Sequence, residues 1–120
     1  MLHVLYSDGN AKKISWVIKT EEVIIEQSRD HAEMYLNKVT DIQSKYIALH
    51  VGLFWGIGTF VIKNNDSVIV KLDNKEMVQH LTTEKTNSDE FIQKKLFFIK
   101  QLISQRKLKI EYELIQKEKN

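Results

Sequence analysis

Two aspartates, Asp8 and Asp73, each follow an apolar run typical of a buried strand. Asp8 comes after the run at 2–7, and Asp73 comes after the run at 67–72. Carboxylates at the strand ends of an α/β protein commonly bind a cation or another ligand. Between the two aspartates in sequence, a helix-like segment carries Lys45, whose ammonium group is itself a cation. These three residues form the candidate site.

The strands that must position the aspartates are indicated by short apolar runs bounded by polar turn residues. They are predicted at 2–7, 14–18, 23–27, 67–72 and 108–115. The stretch 28–38 is ambiguous between a short strand and a turn of helix, and 82–87 is predicted as a polar loop. Three adjacent strands followed by β-α-β crossovers predict an α/β fold, with a mixed five-stranded sheet flanked by helices.

Three helices are predicted between and after these strands. The first begins with Thr40 or Asp41 as its N-cap and ends near Asn64, and its apolar residues recur at spacings of three and four. Its glycines predict close approach to the sheet or to a partner. A short second helix covers 74–81, and Ser88 is the predicted cap of the third.

Composition limits the classes of function. The 120 residues predict one domain, 1–120, with 42% hydrophobic and 28% charged residues. The absence of cysteine excludes disulfides, thiolate metal sites and a cysteine nucleophile. No apolar run reaches the roughly 20 residues that span a bilayer, so we expect a cytoplasmic protein without a membrane partner. The net charge of +2 is too small to argue for nucleic-acid binding by itself.

The C-terminal part of the chain is more basic than the whole. From Lys94 to Asn120 there are eight Lys or Arg residues against three Glu. Such a segment could contact a phosphate backbone, or it could be a solvated helix face. Both interpretations remain open at this point.

Four segments, in order, are similar to the motifs of one family: Tyr6–Asn10, Thr40–Leu53, Val70–Val78 and Ile110–Asn120. They resemble the first-strand, first-helix, strand-then-helix and last-strand motifs of the ribonuclease H family, and the likeness covers nearly the whole chain. The resemblance implies a ribonuclease H-like fold and metal-dependent hydrolysis of RNA–DNA hybrids. It also implies Asp8 and Asp73 as catalytic Mg²⁺ or Mn²⁺ ligands, and nucleic-acid contacts from Gly9, Asn10, Asp41, Gln43 and Asn74.

The departures from the family pattern fall on the catalytic residues. The family's glutamate ligand falls on Lys45, and its final aspartate falls four residues beyond the position matched by Asn120. An asparagine pair that contacts the minor groove falls on Asp41 and Ile42. Our hypothesis is that Lys45 pairs with Asp8, Asp73 or both, making a pseudo-site that holds no metal. The alternative is that Lys45 extends to solvent while the aspartates cap turns.

Three functions remain open. The first is a catalytically degenerate ribonuclease H-like domain that binds an RNA–DNA hybrid or duplex without cleaving it and needs no cofactor. The second is a protein-interaction or homodimerisation module. The third is a weak ribonuclease H using Mg²⁺ or Mn²⁺, in which Asp8 and Asp73 work with Glu76 or Glu118. The large aromatic residues are predicted in the core or at an interface rather than as platforms for base stacking: Trp16, Phe54, Trp55, Phe97 and Phe98.

Overall fold

A computed structural model describes residues 1–83 and 88–116. The strands are β1 (Leu2–Gly9), β2 (Lys13–Thr20), β3 (Val23–Asp30), β4 (Ser67–Leu72) and β5 (Lys109–Leu114). The helices are α1 (Asp41–Gly58), α2 (Lys75–Thr82) and α3 (Glu90–Gln105). The sheet order is β3-β2-β1-β4-β5. The β1–β2 and β2–β3 pairs are antiparallel, whereas β1–β4 and β4–β5 are parallel, so the predicted mixed five-stranded sheet is confirmed.

Alternation along the strands divides the sheet into two faces. The buried face packs against α1 and forms one core that includes Leu5, Trp16, Ile18 and Val70. The alternate positions, among them Val4, Tyr6, Val17 and Ile69, lie on the opposite face and are partly exposed. Within the described residues, none of the helices has the length and apolar composition that crossing a bilayer requires.

The α1 helix begins as predicted and ends earlier than predicted. Thr40 is its N-cap, and a complete capping box joins the Thr40 and Gln43 side chains to each other's backbone amides. The helix ends at Gly58 rather than near Asn64. Beyond it, Phe60 adopts a positive φ of 63°, and the amide of Ile62 folds back to donate to the Gly56 carbonyl. That turn uses a carbonyl that a longer helix would need.

Other predicted boundaries shift by a residue or two. Asp89, not Ser88, is the N-cap of α3, because its carboxylate accepts hydrogen bonds from the amides of Phe91 and Ile92. The ambiguous stretch 28–38 contains the end of β3 and then turns, without further strand or helix. Of the predicted loop 82–87, residues 84–87 lie outside the described part of the chain.

Two of the helix glycines make the predicted close approach. A Cβ at Gly52 would lie 3.2 Å from the Trp16 Cβ, and a Cβ at Gly56 would lie 2.7 Å from the Ile62 Cδ1. By contrast, a Cβ at Gly58 would meet nothing within 4 Å. Gly52 and Gly56 therefore let α1 sit directly on its neighbours, and Gly58 does not serve that purpose.

A buried histidine network ties β1 to the loop before β4. His3 is fully buried, and its Nε2 donates to Asp66 Oδ2 over 2.8 Å. Its Nδ1 lies 2.6 Å from the Thr20 hydroxyl. Partial burial opposes ionisation of Asp66, but hydrogen bonds from His3, the Lys63 amide and the terminal ammonium group outweigh it. Together they lower the pKa of Asp66 to about 2.

We expect Asp66→Asn to lower the free energy of unfolding at pH 7 by about 1–2 kcal/mol, because a charge-assisted hydrogen bond becomes a neutral one. Since the pKa of Asp66 is lowered in the folded state, its contribution is complete above the ordinary value of 3.8 and is lost as the pH falls toward about 2. Urea unfolding from pH 7 to pH 2.5 measures this difference, with Glu22→Gln as the exposed control. A difference that did not change with pH would contradict the assignment.

Candidate functional site

Strand register brings the two aspartates together. Because β1 and β4 are parallel neighbours with Tyr6 opposite Lys71, Asp8 and Asp73 lie level with each other two residues further on. The carboxyl ends of parallel strands meet at one edge of a sheet, which is where ligands bind in open α/β folds. The second turn of α1 lies beside this edge and carries Lys45.

Lys45 bridges both carboxylates. Its Nζ donates to Asp8 Oδ1 over 2.6 Å and to Asp73 Oδ1 over 2.9 Å. The side chains of Lys45 and Asp73 are 14% and 13% exposed, whereas that of Asp8 is 41% exposed. The structure therefore contains the predicted pairing of Lys45, and it involves both Asp8 and Asp73. The alternative, in which Lys45 extends to solvent, is wrong.

The ionisation of Lys45 follows from this contact. Partial burial alone would lower the pKa of the ammonium group, but the hydrogen bonds and negative charges of Asp73 and Asp8 raise it above the ordinary value of 10.5. Lys45 is therefore charged throughout the neutral pH range. Two carboxylates and one ammonium group give the cluster a formal charge of −1.

Both local and long-range hydrogen bonds hold the turn after β1. The Gly9 amide donates to Asp8 Oδ1 over 2.8 Å, which orients the carboxylate. Beneath the turn, His31 Nε2 lies 2.7 Å from the Ser44 hydroxyl and 2.9 Å from the Asn10 carbonyl. Both His31 and Ser44 are buried. His31 is 13 residues from Ser44, and no sequence motif joins them, so only the fold reveals the pair.

Three residues that the resemblance assigns to nucleic-acid contact, Asn10, Asn74 and Gln43, already have hydrogen-bond partners within the protein. The side-chain oxygen of Asn10 accepts from the Lys12 and Lys13 amides, and that of Asn74 accepts from the Met77 amide as the N-cap of α2.

Gln43 Nε2 donates to Asp89 Oδ2 over 2.9 Å, which joins the first turn of α1 to the N-cap of α3. Gly9 is the last residue of β1, directly after Asp8, and Asp41 is exposed at the first residue of α1. A role in nucleic-acid contact stays a prediction for all five residues.

The cluster does not fit the two metal ions of a ribonuclease H. Mg²⁺ requires several oxygen ligands in octahedral geometry, and in this site an ammonium group lies at hydrogen-bond distance from both carboxylates. Among residues 1–83 and 88–116, no three Asp, Glu, His or Cys side chains are grouped closely enough to hold a metal. Glu76 is exposed in the first turn of α2, and Glu118 lies outside the described residues.

A cleft adjoins the site on the partly exposed face of the sheet. Its volume is about 320 Å³, and its lining includes Tyr6, Val17 and Lys71 together with both aspartates. The Lys71 ammonium group lies 5.7 Å from the centre of the Tyr6 ring, and that of Lys19 lies 5.0 Å from it on the same ring. The cleft therefore presents an aromatic surface and positive charge beside the bridged carboxylates.

Gly9 sets the distance between β1 and α1 at the site. A Cβ there would overlap the Ser44 hydroxyl and lie 2.7 Å from the Ser44 backbone oxygen, which the helix holds in place. We expect Gly9→Ala to lower the free energy of unfolding by about 2 kcal/mol or more, as overpacking does. The matched control, Gly58→Ala, should raise it by up to about 1 kcal/mol. Urea unfolding measures both, and equal effects would contradict the close approach.

No family model matches the sequence, and no curated protein matches it at a significant level. Solved structures do match it. RNase H1 from the halophilic archaeon Halobacterium salinarum NRC-1 is 18% identical with a TM-score of 0.75, covering 95% of this chain and 86% of that one. The N-terminal RNase H domain of rv2228c from Mycobacterium tuberculosis is 17% identical with a TM-score of 0.75, covering 98% and 88%.

A third match contains nucleic acid. LC11-RNase H1, isolated from compost and solved in complex with an RNA/DNA hybrid, is 18% identical with a TM-score of 0.68, covering 93% of this chain and 85% of that one. At these identities the comparisons establish architecture. The chain has a ribonuclease H-like fold.

Proposed function

We propose that this domain binds nucleic acid, as an RNA–DNA hybrid or a duplex, and does not cleave it. The observation that carries the proposal is the Lys45 ammonium group, 2.6 Å and 2.9 Å from the two strand-end carboxylates. The ribonuclease H-like fold supports nucleic acid as the partner, since LC11-RNase H1 has this fold and its structure contains an RNA/DNA hybrid. The lysine argues against hydrolysis.

The argument against hydrolysis is electrostatic. Two-metal hydrolysis of a phosphodiester uses two divalent cations about 4 Å apart, one to activate water and one to stabilise the leaving oxygen. An ammonium group offers neither an open coordination position nor a bound water of lowered pKa. A divalent ion entering beside Lys45 would meet its positive charge and would have to displace hydrogen bonds that the carboxylates already make.

The same edge of the sheet can hold a phosphate backbone. Two of the three ammonium protons of Lys45 are used by the aspartates, which leaves one donor for a phosphate oxygen. Exposed lysines flank the aspartates on both sides. Lys12 and Lys13 follow the turn after β1, and Lys75 is the first residue of α2. Contacts of this kind position nucleic acid without reading its sequence.

We expect the protein to bind a fluorescein-labelled RNA–DNA hybrid in an anisotropy titration, with affinity that falls steeply as salt rises. The triple variant Lys12→Gln, Lys13→Gln, Lys75→Gln should bind more weakly and with a shallower salt dependence, because phosphate contacts are lost. Lys109→Gln, on edge strand β5, is the matched control. Salt-independent binding, or no binding together with a dimer in solution, would favour the interaction module instead.

The same hybrid, incubated with Mn²⁺, should remain intact. Cleavage that disappears in both Asp8→Asn and Asp73→Asn would establish a working nuclease and overturn the proposal. A trace of cleavage that persists in both variants would come from a contaminating enzyme.

We expect Lys45→Glu to gain affinity for Mg²⁺ and Mn²⁺, because the substitution removes the internal cation and adds a third carboxylate. Isothermal titration calorimetry should detect binding in this variant and little in the unchanged protein. Lys45→Gln is the control for simple loss of charge and should bind more weakly than Lys45→Glu. Tight binding by the unchanged protein would show that Lys45 does not exclude the metal.

A further inference from the structure

The outer sides of α1 and α3 form an aromatic surface far more exposed than the sequence suggested. Phe54 on α1 is 65% exposed, and Phe97 and Phe98 on α3 are 60% and 45% exposed. Of the two predicted locations, core or interface, the core is excluded for these three residues, whereas Trp16 lies in the core. Isolated exposed apolar residues are common, but a cluster of large ones marks a binding surface.

Ring contacts hold this surface in a defined geometry. The His50 and Phe98 rings are stacked, with centroids 5.9 Å apart and planes within 10°, and Phe97 lies edge-on to Phe98 at 5.7 Å. Phe54 is one helical turn beyond His50, so it projects from the same side of α1. We call His50, Phe54, Lys94, Phe97 and Phe98 the α1–α3 aromatic surface.

A cleft of about 310 Å³ continues the surface beyond Phe54, lined in part by Arg29 and Trp55. The guanidinium group of Arg29 lies 5.2 Å from the centre of the Trp16 ring. A planar cationic group therefore stands at the far end of the aromatic surface.

Beyond their first turns, α1 and α3 carry positively charged side chains and no negatively charged ones. Residues 42–65 and 91–110 contain no Asp or Glu, whereas α3 carries Lys94, Lys95 and Lys100. Lys94 is exposed and lies one turn before Phe97 and Phe98. Burial and the nearby charge of Lys95 lower the pKa of His50, so its ring is neutral at pH 7. The surface thus combines neutral aromatic rings with lysine side chains.

We propose that the α1–α3 aromatic surface binds single-stranded nucleic acid. Unpaired bases stack on exposed aromatic rings while lysines pair with the phosphates, and every base offers a face of this kind. A second copy of the chain is a poorer occupant, because it would bring lysine against lysine with no carboxylate in the surface to pair with them. This inference goes beyond the proposed function and does not rest on it, since it uses different residues.

The test is an anisotropy titration with fluorescein-labelled 12-nucleotide oligo-dT and oligo-rU. The double variant Phe54→Ala, Phe97→Ala should weaken binding about tenfold or more, since each stacked base contributes substantially. Lys94→Gln with Lys100→Gln should reduce the salt dependence by about 0.7 in log–log slope for each lysine in contact with a phosphate. The matched control, Ile24→Ala with Lys109→Gln on the edge strands β3 and β5, should leave binding unchanged.

Three results would overturn the inference. One is a failure of the titration itself: neither oligonucleotide binds, or the double phenylalanine variant binds as well as the unchanged protein. Another is a dimer in sedimentation analysis that Phe54→Ala, Phe97→Ala dissociates, which would make the surface a contact between two copies. The third is binding to phosphatidylserine vesicles that depends on these phenylalanines while oligonucleotides do not bind, which would make it a lipid surface.

The two proposals fail separately. Lys12→Gln, Lys13→Gln, Lys75→Gln should weaken hybrid binding and spare oligo-dT, and the phenylalanine variants should do the reverse. Hybrid binding without oligo-dT binding would reject only the proposal for the α1–α3 aromatic surface. Binding of oligo-dT without hybrid binding would reject only the proposed function at the Asp8–Lys45–Asp73 site.

Discussion

The bridge from Lys45 to Asp8 and Asp73 is the interaction on which the arrangement of this domain depends. Parallel pairing of β1 and β4 places two carboxylates level at one sheet edge, where they repel each other unless a cation lies between them. At 4 Å and an effective dielectric constant of about 20, the attraction between an ammonium group and a carboxylate is roughly 4 kcal/mol before the cost of desolvation. Because the cation belongs to α1, the same contacts that reduce the repulsion between the aspartates also attach the helix to the sheet.

Close packing around this bridge keeps α1 near the sheet. Gly9 permits β1 to touch the backbone of α1 at Ser44, and Gly52 permits α1 to lie against Trp16. His31 fastens the turn after Asp8 to Ser44 from beneath. The Gln43–Asp89 hydrogen bond then joins the first turn of α1 to the start of α3. The contacts of Gly9, His31 and Gln43 hold the first two turns of α1 against the site and so place Lys45 beside the carboxylates.

The sequence predicted most of this arrangement because its signals are local. Apolar runs located all five strands, Thr40 or Asp41 was the predicted start of α1, and the resemblance to the ribonuclease H motifs related Lys45 to the two strand-end aspartates. The misses have separate causes. The end of α1 at Gly58 is set by the return of Ile62, and the cap at Asp89 competes with an equally suitable Ser88. For Phe97 and Phe98 the sequence did not separate core from interface, and in the structure Leu96 and Ile99 fill the buried side of α3.

The placement of acidic residues links the two proposed surfaces. Asp41 and Glu90 stand in the first turns of α1 and α3, where a negative charge stabilises the positive end of the helix dipole. Beyond those turns neither helix carries an acid. The acids of these two helices are thereby confined to their first turns, near the end of the molecule that holds Asp8, Lys45 and Asp73, and the rest of each helix carries only positive charge. Acids at the helix starts therefore stabilise the helices. The same placement leaves only positively charged side chains near the aromatic rings of α1 and α3, and these attract phosphate.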